Sequence, residues 1–535
     1  MSKCNTGKNA CATCVFLIAF LALSSNLWLV DIASGWIDPL LHYGAQDEAA
    51  YTRQAIHMAT QGNWMTPMLL GRWVLEKPPL LMWLSAISMK LFGISSFTPR
   101  LPAVLSGALI ITLCFAIARA SRSSIAGIIA ALLCLSNPVL FTMSRHNMTD
   151  ILLTAAAVTV LAVLAFDPTL SRPASRSTFT LAIAAGILTK SIAGLLPAAA
   201  ALLFACWTAN RPVRVLRLSA IAVLLGSAWF LYHLITHRQW FLADQQFQIL
   251  SIGLQPHQNL RDTKVGFYLL RFLYAAPVTL ALSFTGVPAL LAAVRRREAV
   301  PVLLSCFLIV FAGALFAFRF RSETYLTPLF PVVILIAAIT SPLLRKWFAV
   351  SALAALFVLK AANPGQAWGI SYRPGSTVPA AGTLSSYCEE HRGNDLYILG
   401  VDDQLYALAL PLARLHYGWI DPDGEIKSTR PHLVYLGIMQ AANEHADNTL
   451  YASRLRAWGM NSTEALGTGI SAPTTDDLAA VVLAHPESDF LVSPQIARLL
   501  AGRQPQTMLV NNPNFVLLQS KMAQARVSPS WTCNL

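Results

Sequence analysis

LPAVLSGALIITLCFAIARASRSSIAGIIAALLCLSNPVLFTMSRHNMTD, residues 101–150, decides the fold. The run 101–119 meets no charge before Arg119. A second apolar run, 125–142, follows Arg119 and Arg122 and ends just before Arg145, His146 and Asp150. A helix of about 20 mostly apolar residues crosses a bilayer. The stretch therefore reads as two spans joined by a short basic turn, with acid and base gathered at the far end.

The same pattern extends along the chain. Hydrophobic residues make up 55% of its 535 positions and charged residues only 12%, against about 25% charged in soluble chains. Candidate spans fall at 11–30, 101–119, 125–142, 151–166, 178–190, 191–208, 218–235, 267–293, 301–318, 325–342 and 347–361. Only Thr189-Lys190-Ser191 separates the fifth from the sixth. The chain reads as a polytopic α-helical membrane protein of about 11–13 spanning helices. Its first 30 residues have the basic start and apolar run of a signal peptide, but no A-x-A site follows, so an uncleaved first helix is expected.

Charge sets the orientation. Residues 1–361 hold 28 Lys and Arg against 11 Asp and Glu, whereas 362–535 hold 11 against 15. The basic excess belongs to the hydrophobic part, where it marks topology and not a nucleic-acid surface. Alternate loops carry it: Arg119/Arg122, Arg172/Arg176, Arg211/Arg214/Arg217, Arg295-Arg296-Arg297 and Arg345-Lys346. Cytoplasmic loops collect such residues. The N-terminus is then cytoplasmic, and loops 31–100, 143–150, 189–191, 236–266 and 319–324 face out, as does 362–535.

The first outer loop, 31–100, is too patterned for a connector. Asp47-Glu48 opens a helical pattern that Gly62-Asn63 ends, and Pro78-Pro79 opens a second, apolar helix over 80–92 that suits the membrane interface. Residues 1–361 thus form a transmembrane domain. In 362–535 short apolar runs alternate with polar helical stretches, as in a small α/β domain. Its cysteines, Cys388 and Cys533, would face an oxidising compartment and are expected to form a disulfide.

Charged residues kept close to a bilayer are usually functional. The outer set is Asp47, Glu48, Glu76, Lys77, Arg145, His146, Asp150, Lys190, His257, Arg319, Arg321 and Tyr325. Carboxylates can accept a proton or bind a metal or an amino sugar. Lys and Arg can hold phosphate oxygens, and His with Glu can share a divalent metal. Each residue also has a plain reading: Asp47 and Asp150 as helix caps, Glu76-Lys77 as a surface ion pair, Arg145 and Arg321 as anchors, His257 as a loop histidine. Their coincidence on one face favours a substrate with a phosphate leaving group. A transporter or flippase is the alternative; it would place polar or broken segments at mid-membrane.

Gln46-Asp47-Glu48-x-x-Tyr51, Gly62-Asn63-Trp64, Leu69-Leu70-Gly71, Glu76-Lys77-Pro78-Pro79-Leu80-x-x-Trp83-Leu84, Leu91-Phe92-Gly93 and Arg100-Leu101-Pro102 closely resemble the aminoarabinose transferases that modify lipid A. Those stand with the protein O-mannosyltransferases among the GT-C glycosyltransferases. Gly186-x-Leu188-Thr189-Lys190-x-x-x-Gly194-Leu195-Leu196-Pro197 and Tyr325-Leu326-x-Pro328-Leu329-Phe330-Pro331 are similar too, and the resemblance covers about 12–345.

The resemblance implies a GT-C fold with interfacial helices in the first periplasmic loop and a C-terminal α/β periplasmic domain. It implies transfer of a sugar from a polyprenyl-phosphate carrier, typically undecaprenyl phosphate. The acceptor would be lipid A of lipopolysaccharide, or another envelope glycan or protein, at the outer face of the bacterial inner membrane. It makes Asp47 and Asp150 catalytic acids. Lys77, Lys190, Arg321 and Tyr325 would hold carrier phosphate. Glu76 and His257 would be ligands of a divalent metal, zinc or magnesium. Glu48 is left without a task. Where the family often has Lys-Leu-Pro before the tyrosine, this chain has Arg321-Ser322-Glu323, which leaves donor sugar and acceptor open.

Overall fold

The structure is a computed structural model. It describes residues 6–25, 45–69, 72–95, 97–246, 266–317 and 322–345. Further on it describes short strands between 396 and 427, and residues 475–519 apart from 487, 504–505 and 513–514.

Helix α1 (Thr6–Ser24) is followed by an outer layer: α2 (Ala45–Gln61), a hairpin of β1 (Met68–Leu69) and β2 (Arg72–Trp73), and α3 (Leu80–Phe92). A 3-10 turn (Thr98–Arg100) leads into α4 (Leu101–Ser121), α5 (Ser124–Ser136), α6 (Pro138–Met143) and α7 (Thr149–Phe166). Next come α8 (Pro173–Lys190), a 3-10 turn (Ser191–Leu195), α9 (Leu196–Thr208), α10 (Pro212–Thr236) and α11 (Arg238–Gln246). After α12 (Gly266–Ala275), α13 (Pro277–Arg295) and α14 (Ala299–Ala317), a 3-10 turn (Glu323–Leu326) opens α15 (Leu329–Thr340).

Among the described residues, six helical stretches are long and apolar enough to cross a bilayer, and four shorter apolar helices join them. Four expected spans are subdivided: 191–208 opens as the 3-10 turn Ser191–Leu195, and three others break for local reasons. Run 125–142 breaks where Asn137 accepts a hydrogen bond from Leu140 N at 2.9 Å and Pro138 begins α6. Run 267–293 breaks at Ala276-Pro277, because proline has no N–H to continue the ladder. Run 325–342 begins as a 3-10 turn, so its α-helix is only 12 residues long. Span 347–361 lies outside the described residues.

The helices share one apolar core in which Phe115, Phe179, Phe204, Phe307 and Phe330 are buried. Helices α10, α12 and α13 turn large side chains outward: Leu224 is 67% exposed, Leu270 66% and Phe284 64%. Such a surface suits lipid, not water.

Loop contacts respect the alternation of basic and mixed loops. Arg122, after α4, donates from Nη1 to the carbonyls of Ala338, Ile339 and Ser341 at 3.0, 2.9 and 3.0 Å, covering the C-terminal end of α15. Arg214 donates to Thr169 O at 2.9 Å in the next basic loop. At the other end, Arg145 donates to Leu23 O at 3.0 Å, closing the end of α1. Arg122 and Arg214 thus each join two of the basic loops, and Arg145 joins two of the others.

In the C-terminal segment five strands form one sheet: β3 (Leu396–Leu399), β4 (Leu415–His416), β7 (Asp489–Val492), β8 (Thr507–Asn512) and β9 (Phe515–Gln519), in the order β4-β3-β7-β9-β8. Strand β3 runs parallel to both β4 and β7, while β9 returns antiparallel to β7 and β8. A separate pair joins β5 (Trp419–Ile420) and β6 (Ile426–Lys427). Helices α16 (Thr475–Ala484) and α17 (Pro494–Leu499) complete an α/β unit with its own core around Phe490, Ile496 and Leu518. Cys388 and Cys533 lie outside the described residues.

Candidate active site

Helix α2 begins at Ala45, so Asp47 lies within its first turn and does not precede it. Its buried face runs Glu48, Tyr51, Thr52, Ala55, Met58, the spacing of one side of a helix. Glu48 heads that stripe. Its carboxylate accepts Arg100 Nε at 2.7 Å and Nη2 at 3.1 Å, His146 Nδ1 at 2.8 Å and the Asn147 backbone N at 3.0 Å. Asn147 donates in turn to Thr52 Oγ1 at 3.1 Å and accepts from Ser85 Oγ at 3.0 Å. One carboxylate thus joins α2, α3, the entry to α4 and the α6–α7 link. Burial alone would raise the Glu48 carboxyl, but Arg100 and His146 outweigh it and hold the group well below the usual range. For His146 burial wins over the attraction of Glu48, and its imidazole is pushed below the ordinary value. Neutral, it donates its Nδ1 proton to Glu48.

Four residues beyond His146, Asp150 sits in the first turn of α7, 4% exposed. Its Oδ1 receives Lys190 Nζ at 2.5 Å. The same ammonium lies 4.6 Å from the ring centroid of Tyr325, within cation–π range. Lys190 ends α8, where the chain turns back on itself. An added Cβ on Gly194 would lie 2.2 Å from the Gly186 carbonyl carbon. A continuous helix would separate those residues by about 12 Å. Two glycines let the backbones touch, and Ser191 takes φ 48° and ψ −125° to make the turn. The spacing Gly186…Lys190…Gly194 is therefore a geometric requirement of the turn. Ser322 accepts from Thr324 N at 3.4 Å and caps the turn that carries Tyr325.

Glu76 and Lys77 follow the β1–β2 hairpin, both half-buried, and the buried Pro78-Pro79 leads them into α3. Leu75 packs into a small core with Trp229, Phe241 and Leu188. Leu75 is two residues before Lys77, and Leu188 two before Lys190. The loop before Lys77 and the last turn of α8 therefore share one apolar cluster.

The structure thus brings Asp150, Lys190 and Tyr325 together, while the loop of Glu76 and Lys77 shares the Leu75 cluster with the last turn of α8. Arg321 and His257 lie outside the described residues. Among the described residues no three His, Cys, Asp or Glu side chains converge as a metal site, and Glu76 is the only described member of the expected metal pair. Glu48, given no task from sequence, is the hub of the buried network. Its place on the apolar stripe of α2 was the available signal.

Residues 76–242 match the family described as dolichyl-phosphate-mannose-protein mannosyltransferase. The undecaprenyl phosphate-alpha-4-amino-4-deoxy-L-arabinose arabinosyl transferase 1 of Sodalis glossinidius (strain morsitans) is 30% identical over 188 residues, 34% of this chain and 33% of that protein. The transferase of like description from Aeromonas salmonicida (strain A449) is 29% identical over 157 residues, 28% of each. The matched stretches span about a third of these relatives. ArnT from Cupriavidus metallidurans in the apo state superposes with TM-score 0.63 at 17% identity, covering 95% of this chain and 98% of that one. The same protein bound to undecaprenyl phosphate gives 0.62, also at 17% identity, covering 96% and 98%. The chain is a multi-pass membrane protein with the GT-C fold. Within that class its architecture is ArnT-like, as the motifs of the first outer loop imply.

Proposed function

We propose that the chain is a polyprenyl-phosphate-sugar-dependent glycosyltransferase. It moves an aminoarabinose-like or other pentose or hexose from the carrier to lipid A or another envelope acceptor. The N-terminus is cytoplasmic, and the site and C-terminal domain face the periplasm. The observation that supports this most is Lys190, held by Asp150 beside the ring of Tyr325.

In the reaction the bond from the sugar's anomeric carbon to the carrier phosphate breaks. The acceptor oxygen forms the new bond, and the carrier departs with an added negative charge. Lys190 and Lys77 neutralise that charge where it develops, which is how preorganised cations lower a barrier. Asp150 acts by aiming Lys190. Asp47 takes the proton from a hydroxyl acceptor; for a phosphate acceptor, already anionic, it binds the sugar's amine or steadies positive charge at the anomeric carbon. A divalent metal bound through Glu76 and His257 would supply further charge neutralisation. Metal analysis of the purified protein, with and without Glu76→Gln, tests that part.

The decisive experiment reconstitutes the full chain with a polyprenyl-phosphate-linked aminoarabinose and lipid A and follows lipid A by mass. Transfer that disappears in Asp47→Ala and Lys190→Ala supports the reading. Undiminished transfer in either variant removes that residue's role, and a wild-type chain that alters no envelope lipid overturns the reading.

A further inference from the structure

We propose that Asp244 and Gln245, on α11, are positioning residues that set the direction of Lys77. Leu75 N donates to Asp244 Oδ2 at 2.7 Å, and Gln245 Nε2 donates to Leu75 O at 2.7 Å. Two adjacent side chains thus hold both main-chain polar groups of one residue, two positions before Lys77. Leu75 and Asp244 are both fully buried. A buried carboxylate is costly unless it is bonded, and one of the bonds of Asp244 goes to this loop N–H, which ties the loop backbone to α11.

The segment that leads into the other strand of the hairpin is held from α10. Met65 O accepts Trp229 Nε1 at 2.8 Å and His233 Nε2 at 2.9 Å. Val74 N donates to Pro67 O at 2.9 Å and closes the loop between the two anchors. On the other side of Lys77, Pro78 fixes φ. The lysine therefore stands between a main-chain clamp and a proline. Its own stem is long and rotatable, so a stiff backbone narrows the places its ammonium can reach. Nothing in the spacing of Asp244 from Glu76-Lys77 along the chain announces this pairing; it arises because the α10–α11 elbow folds over the hairpin.

That Lys77 meets carrier phosphate rests on the proposed function, so the test has two readouts. Full-length protein in nanodiscs is compared as wild type, Asp244→Ala, Asp244→Asn, Gln245→Leu, Lys77→Ala and the Lys77→Ala/Asp244→Ala double variant. In Asp244→Ala, hydrogen exchange over residues 74–77 should quicken about tenfold. In Asp244→Asn it should stay near wild type, because the amide oxygen still accepts from Leu75 N. Affinity for undecaprenyl phosphate should fall about tenfold in Asp244→Ala, by less in Gln245→Leu, and no further in the double variant than in Lys77→Ala alone. Unchanged exchange in Asp244→Ala would overturn the clamp. Fully additive losses of affinity would show that Asp244 does not act through Lys77, and would also overturn it. If the wild type fails to bind undecaprenyl phosphate, the proposed function falls, while the exchange comparison still decides the clamp.

Discussion

Glu48 and Arg100 form a two-armed ion pair, Nε to Oε1 at 2.7 Å and Nη2 to Oε2 at 3.1 Å, with neither side chain exposed. Removing one member of a buried pair leaves an uncompensated charge and costs about 3–5 kcal/mol. Glu48→Leu and Arg100→Leu should each lower the unfolding midpoint in detergent, whereas the double variant should lose less than the two singles combined. Additive losses would mean that the two groups do not depend on each other.

The neighbouring His146 makes the same cluster sensitive to pH. Its folded pKa lies below the ordinary histidine value because burial outweighs Glu48. The unfolded chain therefore takes up this proton first, as pH falls below about 6.5. Stability contributed by neutral His146 is complete above that pH and declines below it. The carboxyl of Glu48, held below its usual range, adds a loss of the same sign in stronger acid. Midpoints measured from pH 7.5 down to 5 should fall in the wild type. The slope should flatten in His146→Asn, whose amide can donate to Glu48 without titrating. An equal slope in both proteins would remove His146 as its source.

Much of this architecture was legible in the chain because membrane physics is one-dimensional: apolar length marks a span, and alternating basic loops mark its ends. Asn137-Pro138 and Ala276-Pro277 show the limit. Hydropathy runs straight through them, while a capping side chain and a missing N–H stop the helix. Asp150 and Lys190 were readable as chemistry, but not as partners, since 40 residues separate them. Asp244 was harder still: no periodicity links it to Leu75, and only the packing of α11 against the segment after the hairpin brings Leu75 N within 2.7 Å of its Oδ2.

The Asp150–Lys190 pair yields a coupling prediction. If the carboxylate acts by aiming the ammonium, Asp150→Asn and Lys190→Ala should each reduce transfer from the polyprenyl-phosphate donor, by about 100-fold on the scale of a lost charge-stabilising donor. The double variant should be little worse than Lys190→Ala alone. Lys190→Arg should recover only part, because a longer, planar guanidinium cannot repeat the point contact that the compact ammonium makes with Asp150 Oδ1. Multiplicative losses in the double variant would instead give Asp150 a separate catalytic role.

The backbone at this turn makes the last prediction. Ser191 has φ 48° and ψ −125°, a conformation that costs a residue with a Cβ about 1–3 kcal/mol. Ser191→Gly relieves that strain but frees the unfolded chain, which takes back about 0.5–1 kcal/mol. A modest rise in the unfolding midpoint is expected, with Lys190 still on Asp150. Gly194→Ala does the opposite. Its Cβ would meet Gly186 C and Ile187 N at 2.2 Å, both backbone atoms that cannot swing aside. The turn must open, Lys190 must leave Asp150, and transfer should fall further than stability does. Measuring both quantities in both variants separates strain from function. A Gly194→Ala protein with full transfer would show that the close approach of the two glycines does not hold Lys190 in place.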